Sequence, residues 1–283
     1  MDGFSKKLGA TTATYCESGT RTVDYERMKR DGFDYADFSG LTGTPGGFLD
    51  LPDEELIAAL KEEKVKAERA GITFSQVHGI WPTDDTTEEK RKVTLERSKR
   101  AVMGAAALDG KYLVVHPIMP YGWGGPEDAD EAERLNAEFL TELCAYAEGY
   151  GIGICLENMP FKSQRISGIE RISALVKRLD LKNLFICLDT GHVNVLGGDM
   201  LEAVRVCGDR LKVLHVHDNH GADHHLLPYM GKINWKRFTD ALKECSYEGV
   251  FSSEVKVGGR ENAEIRDKML TFHAEIIRRV AEL

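Results

Sequence analysis

Residues 185–192 read Phe-Ile-Cys-Leu-Asp-Thr-Gly-His. An apolar run of strand length stops on a carboxylate, Asp189, and turns at once. Five other stretches stop the same way. They are SQVH ending at His78, LVVH at His116, ICLE at Glu157, KVLHVHD at His215 (followed by His217 and Asp218), and VFSSE at Glu254. Successive end residues are separated by 38, 41, 32, 26 and 39 positions. Each gap holds about one strand and one helix. Parallel strands closed into a ring would bring all six side chains out at one end, where a barrel keeps its chemistry. The pattern predicts an α/β fold, a single (β/α)8 TIM barrel spanning residues 1–283. It also predicts a metal-dependent enzyme, because carboxylates and imidazoles are the usual ligands of divalent ions.

The alternation extends outward from these ends. Strands are expected at 8–14, 33–38, 72–78, 112–116, 152–157, 184–189, 211–217 and 250–255. Helices are expected at 22–30, 52–70, 86–108, 126–150, 168–179, 200–207, 235–244 and 261–283. Pro52-Asp53-Glu54-Glu55 has the acidic first turn of a helix, and Gly71 follows its end as a stop. Returns from helix to strand are short. Several strand-to-helix segments are long, such as GIWPTDDTTEEK after His78 and NHGADHHLLPYMGKIN after Asp218. Long loops on that side fit a functional face.

Composition limits the function. With 37 Lys and Arg against 46 Asp and Glu, the 283 residues carry a net charge of −9. Such a chain is not expected to bind nucleic acid or an anionic membrane through its overall field. With no apolar run of transmembrane length and no apolar stretch in its first fifteen residues, neither a membrane-spanning helix nor a secretory signal is expected. Its six cysteines lie far apart with no CxxC pair, and Cys155 and Cys187 sit in strand runs. A reduced, cytoplasmic protein is expected.

CLENMP, CLDTGH, VLHVHDN and SSEV resemble the xylose-isomerase-like TIM barrel superfamily, which includes the AP endonuclease 2 family. Its members include sugar and sugar-phosphate isomerases and epimerases, inosose-converting enzymes and endonuclease IV nucleases. The resemblance runs from about residue 9 to 257. It implies one divalent metal ion held by Glu157, Asp189, His215 and Glu254. Manganese is the expected ion, and magnesium, cobalt or zinc would also suit a mostly oxygen donor set. It further implies a hydroxy-ketone bound through two oxygens, with Glu157 and Glu254 as the two proton-transfer residues and an enediolate stabilised by the ion. The expected activity is that of a sugar or sugar-phosphate isomerase or epimerase on a small carbohydrate. A keto-sugar or inosose dehydratase or lyase would use the same site. A homo-oligomer is expected from relatives of this shape.

His78, His116, His192, Asp223 and His225 complete the nine positions that endonuclease IV uses for three metals. In several sugar isomerases, histidines at matching positions bind sugar hydroxyls, and that role is expected here. The loops SGLTGTPGGF, GIWPTDD and PIMPYGWGGPEDAD hold no Lys or Arg, unlike a surface built for DNA phosphates. A zinc phosphodiesterase stays an alternative, as does a non-catalytic binding or complex subunit. Trp81 is read as an apolar wall of a sugar pocket, with Tyr121 and Trp123 as further candidates. His217, His220 and His224 are given no ligand role. Gly258-Gly259-Arg260, with Glu261 behind it, reads as a plain turn rather than a phosphate site. Ser163 and Gly221 stand where ketose 3-epimerases carry a further glutamate and arginine.

Overall fold

The computed structural model describes residues 7–16, 22–83, 85–258 and 262–283. Its eight strands are β1 (Leu8–Thr11), β2 (Tyr35–Phe38), β3 (Thr73–His78), β4 (Tyr112–Val115), β5 (Gly153–Glu157), β6 (Leu184–Asp189), β7 (Leu211–His215) and β8 (Phe251–Ser253). All pair in parallel, in the order β7-β6-β5-β4-β3-β2-β1-β8. The ring closes between β7 and β8 just past the strand ends. There Val216 bridges Ser253. Val216 N donates to Ser252 O at 2.9 Å and Glu254 N donates to Val216 O at 3.0 Å. Closure leaves no free strand edge, which parallel strands buried on both faces require.

The helices are α1 (Tyr25–Arg30), α2 (Asp53–Ala70), α3 (Glu88–Ala107), α4 (Ala129–Glu148), α5 (Ile169–Leu179), α6 (Thr190–Leu196), α7 (Met200–Cys207), α8 (Trp235–Glu244) and α9 (Ala263–Ala281). Asp24, Thr87, Asp128, Asp199, Asn234 and Asn262 each accept a first-turn N–H through the side chain. Such caps supply partners that a helix start lacks. Gly71 ends α2 with φ of 78°, the left-handed conformation glycine adopts freely.

Two differences from the sequence reading have local causes. The first strand stops at Thr11, because its hydroxyl accepts from Ala13 N and starts a tight turn over 12–15. The short helix α6 was not expected. Thr190, Gly191, Val193 and Val195 are weak helix formers, and its cap is the strand-end carboxylate itself.

Side chains alternate across each strand, so Val114, Cys155, Cys187 and Val213 share a face with His116, Glu157, Asp189 and His215. These four pack as a small apolar cluster apart from the larger core between sheet and helices. The barrel interior is thus apolar below and polar at its C-terminal mouth. All six cysteines are free thiols. No helix among the described residues is long and apolar enough to cross a membrane.

His273 on α9 is fully buried, with Nε2 2.7 Å from Ser253 Oγ and its ring 5.5 Å from that of Phe33. Burial pushes its pKa down from 6.5 to about 3. Between these values the unfolded chain binds a proton that the native protein does not. Stability therefore falls as pH drops below about 6.5, by up to about 1.4 kcal/mol per pH unit. His273→Gln removes this titration. Urea unfolding at pH 7 and pH 5 should show a loss on acidification that is smaller in the variant by about 1–2 kcal/mol.

Candidate metal centre and substrate mouth

The six strand-end residues converge as their spacing implied. His78, Glu157, Asp189 and His215 are the last residues of β3, β5, β6 and β7, while His116 and Glu254 follow β4 and β8 directly. Glu157, Asp189 and His215 are fully buried, and the Glu254 side chain is 16% exposed. One ligand atom from each of Glu157, Asp189, His215 and Glu254 lies within 4.8 Å of the others. Opposite ligands of one ion at about 2.1 Å would be about 4.2 Å apart. His215 Nδ1 sits 3.0 Å from Glu157 Oε1 and 3.5 Å from Glu254 Oε2, so the two glutamates converge on one point.

The imidazoles fall into two orientations. His78, His116, His192 and His225 each direct Nδ1 at a backbone carbonyl: Gly79 O at 3.1 Å, Ile80 O at 2.8 Å, Asn158 O at 2.7 Å and Glu254 O at 2.7 Å. A carbonyl only accepts, so Nδ1 carries the proton and Nε2 is left facing the mouth. His116 Nε2 lies 3.2 Å from Glu157 Oε2, and His78 Nε2 3.6 Å from Glu254 Oε1. His215 is reversed. Its Nδ1 faces the carboxylates, and its Nε2 lies 3.1 Å from Asp37 Oδ2. Asp37, at the mouth end of β2, is fully buried, and neither oxygen has a hydrogen bond among the described residues. Sequence reasoning missed it because Asp37 precedes Phe38 inside the run, so no strand end marked it.

A second group adjoins the first. His192, His217, Asp223 and His225 also bring one ligand atom each within 4.8 Å of one another. His225 Nε2 is 3.2 Å and His192 Nε2 3.5 Å from Asp223 Oδ1. His217, given no role from sequence, belongs here. Its Nε2 lies 3.0 Å from Asp189 Oδ2 and its ring stacks on His225 at 4.0 Å. His220 and His224 are exposed, as expected for solvated residues.

Charge sets the protonation of this ring. Burial pushes the Glu157 carboxyl up, but the positive charge and hydrogen bond of His215, with His116 close by, hold it well below the usual range. Burial likewise raises Asp189, and the charges of His192 and His217 outweigh it. Burial pulls His192 down, but Asp189 and Asp223 hold it up at about 10. His225 is held at about 9, where burial is overcome by Glu254 and Asp223.

Residues between the ligand candidates fix their places. Asn158 extends the β5–β6 ladder through its side chain. Its Oδ1 accepts from Asp189 N at 2.8 Å and its Nδ2 donates to Asp189 O at 3.0 Å. Asp189 Oδ1 caps α6 by accepting from His192 N at 2.6 Å, which leaves Oδ2 for the mouth. The carboxylate is therefore both a helix cap and a ligand candidate. Gly191 is required by close approach, since a Cβ there would fall 1.9 Å from His217 Cε1. The site has a cavity of about 750 Å3, lined on one side by Trp81, Trp123 and Phe161. The Gly259-Arg260-Glu261 turn lies outside the described residues.

Asp218, three residues past the strand-end His215, has a structural part. Its carboxylate is fully buried and accepts from Asn219 N (2.8 Å), Tyr229 N (3.1 Å), Lys232 N (2.9 Å), Ile233 N (3.2 Å) and Trp235 Nε1 (3.0 Å). It staples the loop that carries Asp223 and His225. Gly231 leaves room for it, because a Cβ there would lie 2.1 Å from Asp218 Oδ1. Asp218→Ala strands several donors, each costing about 1–3 kcal/mol. The expected loss is at least about 3 kcal/mol, read as a lower urea midpoint at unchanged m-value.

The sequence profile of the xylose isomerase-like TIM barrel family matches residues 25–274. A D-tagatose 3-epimerase-like protein of known structure superposes with TM-score 0.75 at 30% identity, covering 98% of both chains. The zinc-bound IOLI protein superposes with TM-score 0.77 at 20% identity, covering 97% of this chain and 96% of that one. An uncharacterized protein of Methanocaldococcus jannaschii, MJ1311, is 39% identical over 175 residues, 60% of this chain and only 59% of the relative. The D-psicose 3-epimerase of Agrobacterium fabrum is 25% identical over 202 residues, covering 70% of this chain and 68% of that enzyme. With the profile match spanning most of its length, the chain belongs to the xylose isomerase-like TIM barrel family.

Proposed function

We propose that this protein is a sugar isomerase or epimerase that moves a proton next to a carbonyl, using one divalent cation held by Glu157, Asp189, His215 and Glu254. The observation that carries the reading is the convergence of three carboxylates and one imidazole in a buried mouth. Without a cation, carboxylates this close repel one another. The donor set fits an ion, and Glu157 Oε2 is buried without a hydrogen bond among the described residues. The bound ion would act as a Lewis acid toward a hydroxy-ketone, with manganese best matched to the oxygen-rich donors and magnesium, cobalt or zinc also suited.

The chain's own groups supply the rest. Glu157 and Glu254 carry free carboxylate oxygens beside the place where the reacting carbon would sit, one to remove a proton and one to return it. Glu254 is the more accessible of the two. His78 and His116 turn Nε2 toward sugar hydroxyls, and His192 and His225, held protonated, present Nε2–H donors, with Asp223 as an acceptor at the rim. Trp81 offers an apolar wall. Elimination by a dehydratase or lyase would start with the same proton removal.

Glu254→Gln tests the proton-transfer role. In manganese-loaded protein incubated with a ketose panel in D2O, the wild type should exchange a carbon-bound hydrogen. The variant should lose at least about 100-fold of that rate while keeping its thermal midpoint within a few degrees. Full exchange in the variant would remove Glu254 from the chemistry.

Asp37 is proposed to orient His215 from behind. A carboxylate facing Nε2 holds that proton and leaves Nδ1 free toward the cation. Asp37→Asn should weaken manganese binding about 10- to 100-fold in calorimetric titration, and Asp37→Glu should restore part of it.

A second reading, a multinuclear zinc phosphodiesterase, is favoured by the compact His192–His217–Asp223–His225 group and by the His78–Glu157–His215 group. It predicts two or three zinc ions per chain and salt-sensitive affinity for abasic duplex DNA. Lys256 is the one Lys or Arg among the described residues lining the cavity, a poor match to a phosphate backbone.

A further inference from the structure

Three aromatic rings beside the mouth have an unusual arrangement. Trp81 and Trp123 lie 5.5 Å apart and are inclined by 9°. Trp81 and Phe161 lie 6.1 Å apart at 7°, and Trp123 and Phe161 5.9 Å apart at 3°. Parallel rings in one column would place the outer pair at about twice the inner spacing. Rings this close cannot lie in one plane, so three nearly equal spacings mean that they overlap in offset steps and together present a stepped aromatic surface. Trp81 meets the candidate hydroxyl binder His116 edge-on at 5.0 Å, so the surface begins at the carboxylate cluster and runs outward to Trp123.

This surface is held and open. Ser163 Oγ donates to Trp123 O at 2.8 Å, and the buried Gln164 donates through Nε2 to Gly125 O at 2.8 Å. Two residues just beyond Phe161 thus fix the Trp123 loop. Trp123 is nonetheless 41% exposed. A sugar ring places its C–H bonds, slightly positive, against the negative face of an aromatic ring. One pyranose face covers one indole, and the stepped array of three rings extends beyond it. The cavity of about 750 Å3 falls in the range of about 300–1,000 Å3 that houses drug-sized ligands. Trp81, Trp123 and Phe161 are uncharged, and Lys256 is the one Lys or Arg among the described residues lining the cavity, so this stretch offers a phosphate little.

We propose that Trp81, Trp123 and Phe161 form an outer subsite for a second sugar ring. The substrate is then a neutral glycoside or disaccharide, whose reacting hydroxy-ketone ring sits at the carboxylates. This inference rests on the proposed sugar isomerase or epimerase reading of the same site.

The test is calorimetric binding to manganese-loaded protein, with fructose as the single-ring probe. Isomaltulose, turanose and lactulose are the two-ring ketose probes. At least one disaccharide should bind ten times more tightly than fructose or better. Trp123→Ala and Phe161→Ala should each bring that ratio toward one. A wild-type ratio near one for all three disaccharides overturns the subsite without need of any variant. A ratio unchanged in both variants also overturns it. If Trp123→Ala changes the oligomeric mass while the ratio holds, the surface is a subunit contact and the proposal fails. Hydrogen exchange from D2O separates the two claims. A disaccharide preference without exchange in any sugar removes the proton-transfer reading and keeps the subsite. Exchange with fructose but no disaccharide preference does the reverse.

Discussion

Everything at the mouth of this barrel answers to one constraint: the buried carboxylates of Glu157 and Asp189, with Glu254 beside them, share one small space. Burying one unpaired carboxylate is costly, and burying several together costs more. The fold answers with imidazoles. His215 lies between Glu157 and Glu254, His116 backs Glu157, and His192 and His217 back Asp189. The raised basicity of His192 and His225 and the lowered pKa values of Glu157 and Asp189 are two sides of this pairing. A divalent cation would meet the same need more compactly, which is why the donor set argues for one.

Around that centre, backbone carbonyls and small residues do the orienting. Four imidazoles are turned the same way by carbonyls at their Nδ1 atoms. Asn158 and Thr190 link neighbouring strands, with Thr190 Oγ1 donating to His217 O at 2.8 Å and accepting from His217 N at 3.1 Å. Gly191 makes room for His217, and Asp218 organises the loop bearing Asp223 and His225. The rigid strands thus set the carboxylates, while a stapled loop brings in the outer histidine.

The fold was legible because strand-end residues recur at a βα spacing and every apolar run between turns became a strand. The convergence of Glu157, Asp189, His215 and Glu254 follows from parallel closure alone. Other features depend on three-dimensional neighbours that spacing does not encode. Asp37 sits one residue before its strand ends and gains meaning only from His215 across the barrel. His217 and Asp218 follow His215 closely, and sequence reasoning assigns neither a ligand role. The pleat and the following loop send one into the mouth and surround the other with N–H donors. Helix α6 was hidden because its cap doubles as a strand end. Trp123 and Phe161 are 38 residues apart and become one surface only through the loops after β4 and β5.

The most direct test of the central claim is the metal content of the purified, manganese-reconstituted protein, by mass spectrometry per chain. The account predicts about one divalent ion, absent from a Glu157→Gln/Asp189→Asn double variant that still folds. An ion-free wild type after reconstitution would contradict it.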